Sequence, residues 1–94
     1  MGENNTSSKK AIAMEYNPEK DQAPRVTAIG KGLVADQIIA LARSRNIPIH
    51  HDPYLVDSLA EVDFGGYIPP DLYTVVAEIL AFIYRINQKK VTIR

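Results

Sequence analysis

Three consecutive residues, His50, His51 and Asp52, are of types that bind metal ions in metalloenzymes and small metal-binding proteins. Consecutive side chains of a strand point to opposite faces, so His50 and His51 cannot readily share one ion. A site made of His51 and Asp52 at the end of a strand remains possible. We expect polar strand-end residues here, with a small metal-binding protein or enzyme as the alternative.

Two other features could support chemistry, and both favour a structural interpretation. Gly30-Lys31-Gly32 precedes a predicted helix and could present backbone donors to an anion. A phosphate-binding loop needs more glycine and a terminal Lys-Ser/Thr pair, so a helix-entry turn is favoured. The serines lie in no nucleophile motif and have no evident base; they are Ser7, Ser8, Ser44 and Ser58. The sequence therefore predicts neither an enzyme nor a cofactor.

Composition limits the remaining classes. Ninety-four residues form one small domain. Eleven basic and eleven acidic side chains cancel, whereas nucleic-acid-binding proteins gather a basic excess, so an RNA-binding α/β module is only a third option. Cysteine is absent, and residues 1–10 lack the apolar segment of a secretory signal. Residues 75–86, the longest apolar-rich run, fall short of the ~20 that a membrane span needs. We expect a cytoplasmic protein.

The elements that must position any site follow from periodicity. Residues 10–16 alternate as a half-buried strand, residues 25–29 form a second β-branched strand, and residues 47–51 a third. The helix between the last two implies a parallel β-α-β crossover, and Pro48 places the third strand at a sheet edge. The predicted fold is α/β: a small mixed sheet of about three to four strands packed with about three to four helices. Residues 1–9 read as a flexible lead, 10–88 as the domain and 89–94 as a tail, in which Val91-Thr92-Ile93 could add a strand.

Helix signals are specific at several positions. In the first helix Val34, Ile38, Leu41 and Arg45 repeat as the packed stripe, with Ala35 and Ala42 beside them and Ile39 on the outer side. Asn46 suits the left-handed residue past the helix end. Asp52-Pro53 begins a second, short helix as an N-cap followed by proline, and Gly65-Gly66 closes that region.

The last helix begins at Pro70 and carries more apolar surface than one packing face needs. Its first stripe comprises Leu72, Val76, Ile79, Leu80 and Ile83. The second comprises Val75, Phe82 and Ile86. Neighbouring elements could cover the second stripe, or it could form a groove for a partner. This surplus points to a docking module, since burying each large apolar side chain is worth about 1.5–3 kcal/mol.

Five stretches, taken in order, resemble one known family. They are residues 11–20 (AIAMEYNPEK), 23–26 (APRV), 46–49 (NIPI), 52–55 (DPYL) and 68–84 (IPPDLYTVVAEILAFIY). Together they resemble the cytoplasmic C-terminal domain of the FlhB family, the export-gate proteins of flagella and type III secretion. The similarity extends over about residues 10–88 and implies an α/β domain whose mixed sheet is wrapped by helices.

The family differs from this sequence ahead of the first strand. There a membrane-embedded half comes first, followed by an Asn-Pro-Thr-His loop whose asparagine amide attacks its own carbonyl and cleaves the chain before proline. Thr6-Ser7-Ser8-Lys9 fills those positions here, and the only Asn-Pro, Asn17-Pro18, follows the strand as a turn. The resemblance therefore implies no self-cleavage and a separate small protein that corresponds to the fragment after the cut.

The resemblance also implies a role. Family domains dock export substrates and take part in the switch from rod-and-hook to filament cargo, through a hydrophobic patch. Its counterparts here are Ala23 and Pro24 before the second strand, and Ala77 and Leu80 on the last helix. Expected partners are export-apparatus components at the cytoplasmic face of the export gate, a full-length export-gate subunit, export substrates or a hook-length regulator.

Overall fold

A computed structural model describes residues 9–17, 19–21, 23–61, 67–85 and 89–94. The strands are β1 (Lys10–Glu15), β2 (Arg25–Lys31), β3 (Ile49–His50) and β4 (Lys90–Ile93). The helices are α1 (Leu33–Ser44), α2 (Pro53–Leu59) and α3 (Tyr73–Arg85), the last entered through a 3₁₀ turn at Pro70–Leu72. This mixed four-stranded sheet with three helices confirms the predicted α/β class. Gly65, Gly66 and Ile86 lie outside the described residues.

The strand order in the sheet is β2-β1-β4-β3. β1 runs antiparallel to both of its neighbours, and β3 pairs with β4 in parallel. The crossover through α1 therefore connects strands that run in the same direction, as predicted, although β1 and β4 lie between them. β3 is an edge strand, which confirms the expectation drawn from Pro48.

β4 lies in the interior of the sheet. Val91, Thr92 and Ile93 are buried, with Val91 opposite Met14 and Ile93 opposite Ile12. Residues 90–93 thus belong to the sheet rather than to a tail, and the strand suggested for Val91-Thr92-Ile93 is present. Four residues are too few for an alternating pattern to reveal the pairing in advance.

A register shift in the β1–β2 ladder keeps the large residues of β2 on one face. Ile12 pairs with Ile29 and Met14 with Val26, and the shift falls between Ala13 and Met14. Val26 and Ile29 are three apart, so a regular strand would place them on opposite faces. The extra residue of a bulge brings both to the same side.

Two layers cover the sheet. The first, here named the α2/α3 layer, combines large side chains of β1, β2 and β4 with those of α2, α3 and the segment before α3: Ile12, Met14, Val26, Leu55, Val56, Leu59, Ile68, Val76, Ile83, Val91 and Ile93. The second, the α1 layer, is built around Ala11, Ala35 and Ile39. Two of these three residues, Ala11 and Ala35, are small, which lets α1 pack close to the strands.

Helix α1 presents a different face to the sheet from the one predicted. Ala35, Ile39 and Ala42 are buried, whereas Val34 and Leu41 of the expected stripe are about half exposed, at 49% and 50%. The prediction that Ile39 points outward is therefore wrong, since it is 5% exposed. The helix turns this face to the sheet because the small side chains of Ala35 and Ala42 allow its axis to come closer to the strands.

Gly30 shows how close that approach is. A Cβ atom at this position would lie 2.9 Å from the backbone nitrogen of Ala35 and 2.7 Å from Cδ1 of Ile38. Gly30 is opposite Ala11 in the neighbouring strand, so two small residues lie together under α1. Larger residues at these places would push the helix away.

Two predicted helix ends are confirmed, the end of α1 and the start of α2, whereas the last α-helix begins at Tyr73 after the 3₁₀ turn rather than at Pro70. Asn46 adopts the left-handed conformation just beyond α1, with φ 57°. Asp52 caps α2, its Oδ1 accepting a hydrogen bond of 3.0 Å from the Leu55 N–H, and Pro53 occupies the first turn. In the described ranges, no helix has the length and apolar character that crossing a bilayer requires.

Candidate protein-binding groove

The four residues predicted to bind protein lie together in the structure. Ala23, Pro24, Ala77 and Leu80 all line one groove of about 390 Å³ between the end of β1 and helix α3. The groove is further lined by Tyr16, Ile68, Tyr73, Ala81 and Tyr84. Residues from three separate parts of the sequence thus form one apolar concave surface. Their binding role stays a prediction.

One wall of the groove is a face of α3. Tyr73, Ala77 and Ala81 repeat every fourth residue and so form a row along the helix. Leu80 and Tyr84 form the adjacent row in the same way. The alanines lie between larger side chains, and their short side chains leave the helix surface concave there. The predicted shared face of Ala77 and Leu80 is therefore present.

The opposite wall is formed by buried residues of two chain segments, one ahead of β2 and one ahead of α3. Ala23 and Ile68 are each 3% exposed, and Pro24 is also buried. The Ile68 N–H donates to the Pro24 carbonyl at 3.3 Å, and Arg25 forms an isolated antiparallel bridge with Tyr67. These bonds hold the two segments side by side, so this wall of the groove is preformed.

A hydrogen-bonded turn positions Ala23 and Pro24. The Asn17 carbonyl accepts from the N–H groups of Lys20 at 3.0 Å and Asp21 at 2.8 Å, and Asn17 Oδ1 accepts from Glu19 N–H at 3.0 Å. Asp21 Oδ2 in turn accepts from the Asn17 N–H at 3.1 Å. The predicted turn after β1 is therefore present in the described residues around Pro18.

An ion-pair network ties this turn to the sheet. The Arg25 guanidinium lies 3.4 Å from Asp21 Oδ1 and 3.7 Å from Glu15 Oε1. The Asp21 side chain is only 7% exposed, so its charge is balanced within the protein. Because Arg25 directly follows Pro24, the network fixes the end of the segment that lines the groove.

Sequence reasoning did not assign the tyrosines to the site. The structure nevertheless places Tyr16, Tyr73 and Tyr84 in the groove. A signal was available for two of them, because Tyr73 precedes Ala77 by four residues and Tyr84 follows Leu80 by four. Each combines an apolar ring with a polar tip, which suits the rim of a binding surface.

The second apolar stripe of α3 also remains uncovered by the described residues. Val75 is 44% and Phe82 56% exposed. They border a different hollow, on the side of α3 that faces Pro48 and Ile49 of the β3 region. The described chain therefore does not seal α3 on either flank.

The residues considered for a metal ion have structural surroundings. His50 and His51 are exposed at the end of β3. Asp52 caps α2 through the hydrogen bond to Leu55 N–H. Within the part of the chain that the structure describes, no three His, Cys, Asp or Glu side chains form a group that could hold a metal ion.

Comparison with known proteins identifies a consistent set of relatives. The sequence model of the "FlhB HrpN YscU SpaS Family" matches residues 6–83. Protein YlqH of Bacillus subtilis (strain 168) is 45% identical over 83 residues, which cover 88% of this chain and 89% of YlqH. The flagellar biosynthetic protein FlhB of Aquifex aeolicus (strain VF5) is 45% identical over 82 residues, covering 86% of this chain and 23% of FlhB.

Solved structures agree with the sequence comparison. A crystal structure of a mutated EscU/SpaS C-terminal domain superimposes with a TM-score of 0.76 at 33% identity, covering 80% of this chain and 94% of that domain. The PscU C-terminal domain gives a TM-score of 0.74 at 27% identity, with coverage of 78% and 94%. The similarity to FlhB is confined to under a quarter of its length, whereas these C-terminal domains are matched almost throughout.

Proposed function

This chain belongs to the FlhB HrpN YscU SpaS family, and we propose that it is a non-enzymatic protein-interaction module of the flagellar or type III protein export apparatus. In this role the groove along α3 docks export substrates. The module also takes part in substrate-specificity switching, at the cytoplasmic face of the export gate.

The observation that carries this proposal is the groove itself. It is preformed by backbone bonds around Pro24 and Ile68, and its lining is almost entirely apolar. A groove of about 390 Å³ has room for apolar side chains of a partner, and each one fully buried contributes about 1.5–3 kcal/mol. Rigid concave apolar surfaces bind with little ordering cost, because the site needs no rearrangement.

Two further features support contact-based action. The sequence contains no Asn-Pro-Thr-His run, and its one Asn-Pro pair begins at Asn17, which forms the hydrogen-bonded turn with Asp21. We therefore propose that the chain does not cleave itself. Intact-mass spectrometry after prolonged incubation should give one species of 10.5 kDa, and fragments ending at Asn17 or near residue 6 would contradict the proposal.

The binding role is tested with a charged substitution in the groove. Ala77 is exposed, so Ala77→Glu leaves the core intact while placing a carboxylate among apolar contacts. We expect affinity for purified rod- and hook-type export subunits of the same organism to fall about tenfold to a hundredfold, the equivalent of about 1.5–3 kcal/mol. Biolayer interferometry on the immobilised chain measures this directly.

The matched control is Ala40→Glu on α1. Ala40 is also an exposed helical alanine, but it lies outside the groove lining. It should leave both affinity and thermal stability unchanged. Equal binding by wild type, Ala77→Glu and Ala40→Glu would remove the groove from the interaction, and absence of any binding to the export subunits would contradict the proposed function.

A further inference from the structure

Charged residues of opposite sign lie near the two ends of the groove. On the helix wall, the row Tyr73, Ala77 and Ala81 continues at the same four-residue spacing to Arg85. Arg85 is exposed and is the basic residue of the last turn of α3. This spacing places a basic residue one turn beyond Ala81, just past the C-terminal end of the groove lining.

A second cation lies beside Tyr16, at the end of the groove formed by β1. The Tyr16 N–H donates to the Lys89 carbonyl at 2.9 Å, one position beyond the Glu15–Lys90 pair of the β1–β4 ladder. Strand alternation puts Lys89 on the same face as Val91, as it puts Tyr16 on the same face as Met14. Lys89 is thus the cross-strand neighbour of a groove residue, and its side chain is exposed.

The acidic side chains that the structure describes near this pair have other partners. Glu15 and Asp21 both lie against Arg25. Among the described residues, no ion pair involves Arg85 or Lys89. The C-terminus of α3 adds a partial charge of about −0.5, which offsets only part of two full positive charges.

The other end of the groove has the opposite sign. Beyond Tyr73 and Ile68, the 3₁₀ turn carries Asp71, which borders a neighbouring hollow with Glu61, while Asp57 of the same hollow is paired with Lys10 at 2.8 Å. The lining residues from Tyr73 to Tyr84 span about 16 Å at 1.5 Å per helical residue. Charges of opposite sign therefore lie at the two ends of an apolar surface long enough for a short peptide segment.

We propose that the occupant of the groove is a polypeptide segment whose apolar side chains are flanked on one side by acidic residues, and that Arg85 and Lys89 hold its acidic end at the C-terminal end of α3. This inference rests on the proposed function, because it concerns the same groove. Charge complementarity of this kind contributes more to orientation and partner choice than to total affinity. Apolar contact thus holds the segment, and the two cations select its acidic end.

The test is a selection of random dodecapeptides displayed on phage. Each peptide is scored against the wild-type chain, an Arg85→Glu/Lys89→Glu double variant and Ala77→Glu. Peptides that bind the wild type but not Ala77→Glu should carry acidic residues on one side of the apolar residues. They should bind the double variant about tenfold more weakly, as expected for two reversed exposed charges.

Controls separate the two proposals. A Lys31→Glu/Arg43→Glu variant reverses two exposed cations outside the groove and should bind the selected peptides as wild type does. The difference between wild type and the double variant should vanish in about 1 M salt, where the Debye length is about 3 Å. Groove-dependent peptides without acidic bias, or with unchanged affinity for the double variant, overturn the charge inference alone. Failure to select any groove-dependent peptide overturns the docking role as well.

Discussion

The two faces of the sheet use small residues for opposite purposes. Under α1, Ala11, Gly30 and Ala35 are buried, and their size lets the helix come into contact with the strands. On α3, Ala77 and Ala81 are exposed, and their size leaves a groove between larger neighbours. The same residue type therefore closes one layer and opens the other. What decides the outcome is whether a strand or solvent faces the alanine.

The largest expected effect comes from removing the strand that both layers share. Deleting residues 89–94 takes away β4 from between β1 and β3 and removes the buried side chains of Val91 and Ile93. Those two side chains alone contribute about 3–6 kcal/mol. That is comparable with the total stability of a domain, about 5–15 kcal/mol, before the lost ladder bonds are counted. We expect no cooperative thermal unfolding transition by circular dichroism.

Lys90→Ala is the control for this deletion. It keeps the strand and changes only an exposed side chain, so stability should stay within about 0.5 kcal/mol of wild type. A truncated chain that keeps a native far-UV spectrum and unfolds cooperatively would show that the layers do not depend on β4.

An intermediate effect separates the two layers directly. Ala35→Leu enlarges a residue that is 0% exposed beneath α1, and overpacking of this kind costs about 1–3 kcal/mol. Ala77→Leu makes the same change on the exposed surface of α3, where stability should change by less than about 0.5 kcal/mol. The second substitution should instead weaken binding of export subunits, because the new side chain fills the groove.

Urea unfolding and biolayer interferometry on both variants check this contrast. The comparison holds if Ala35→Leu is destabilised and Ala77→Leu is stable but impaired in binding. Equal stability of the two variants would mean that the α1 layer is not closely packed, and undiminished binding by Ala77→Leu would contradict the role of the groove.

The sequence predicted the α2/α3 layer better than the α1 layer, for a physical reason. Large apolar residues at helical spacing, such as Val76 and Ile83, give a clear signal and are buried. In α1 the same rule selected Val34 and Leu41, which are half exposed. The rule assigns the buried face to the largest apolar side chains at helical spacing, but α1 packs on Gly30 and Ala11, where only small residues fit. The preference for small residues on the buried face of α1 depends on how β1 and β2 pair beneath it, and the sequence of the helix alone does not reveal that pairing.

The groove could be predicted in part. Family resemblance supplied Ala23, Pro24, Ala77 and Leu80, and the fold brings them together although more than fifty residues separate the two pairs. Tyr16 could not be assigned, because its position depends on β4 and on the turn that follows β1. Arg85 lay within the helical pattern, but its relation to Lys89 required the β1–β4 register.

The smallest expected effect concerns Asp52, at the start of α2 in the α2/α3 layer. Its Oδ1 accepts the Leu55 N–H at 3.0 Å, so Asp52→Ala removes an N-cap worth about 1 kcal/mol and should lower the Tm by about 5 °C. Asp52→Asn keeps an acceptor oxygen and should unfold within about 1 °C of wild type.

The same thermal scans with added Zn²⁺ test the alternative that His51 and Asp52 bind a metal ion, because both variants lack the carboxylate ligand. If Asp52 acts as a cap, Zn²⁺ leaves all three melting curves in place. A Zn²⁺-dependent rise in Tm that wild type shows and both variants lack would assign His51 and Asp52 to a metal site instead.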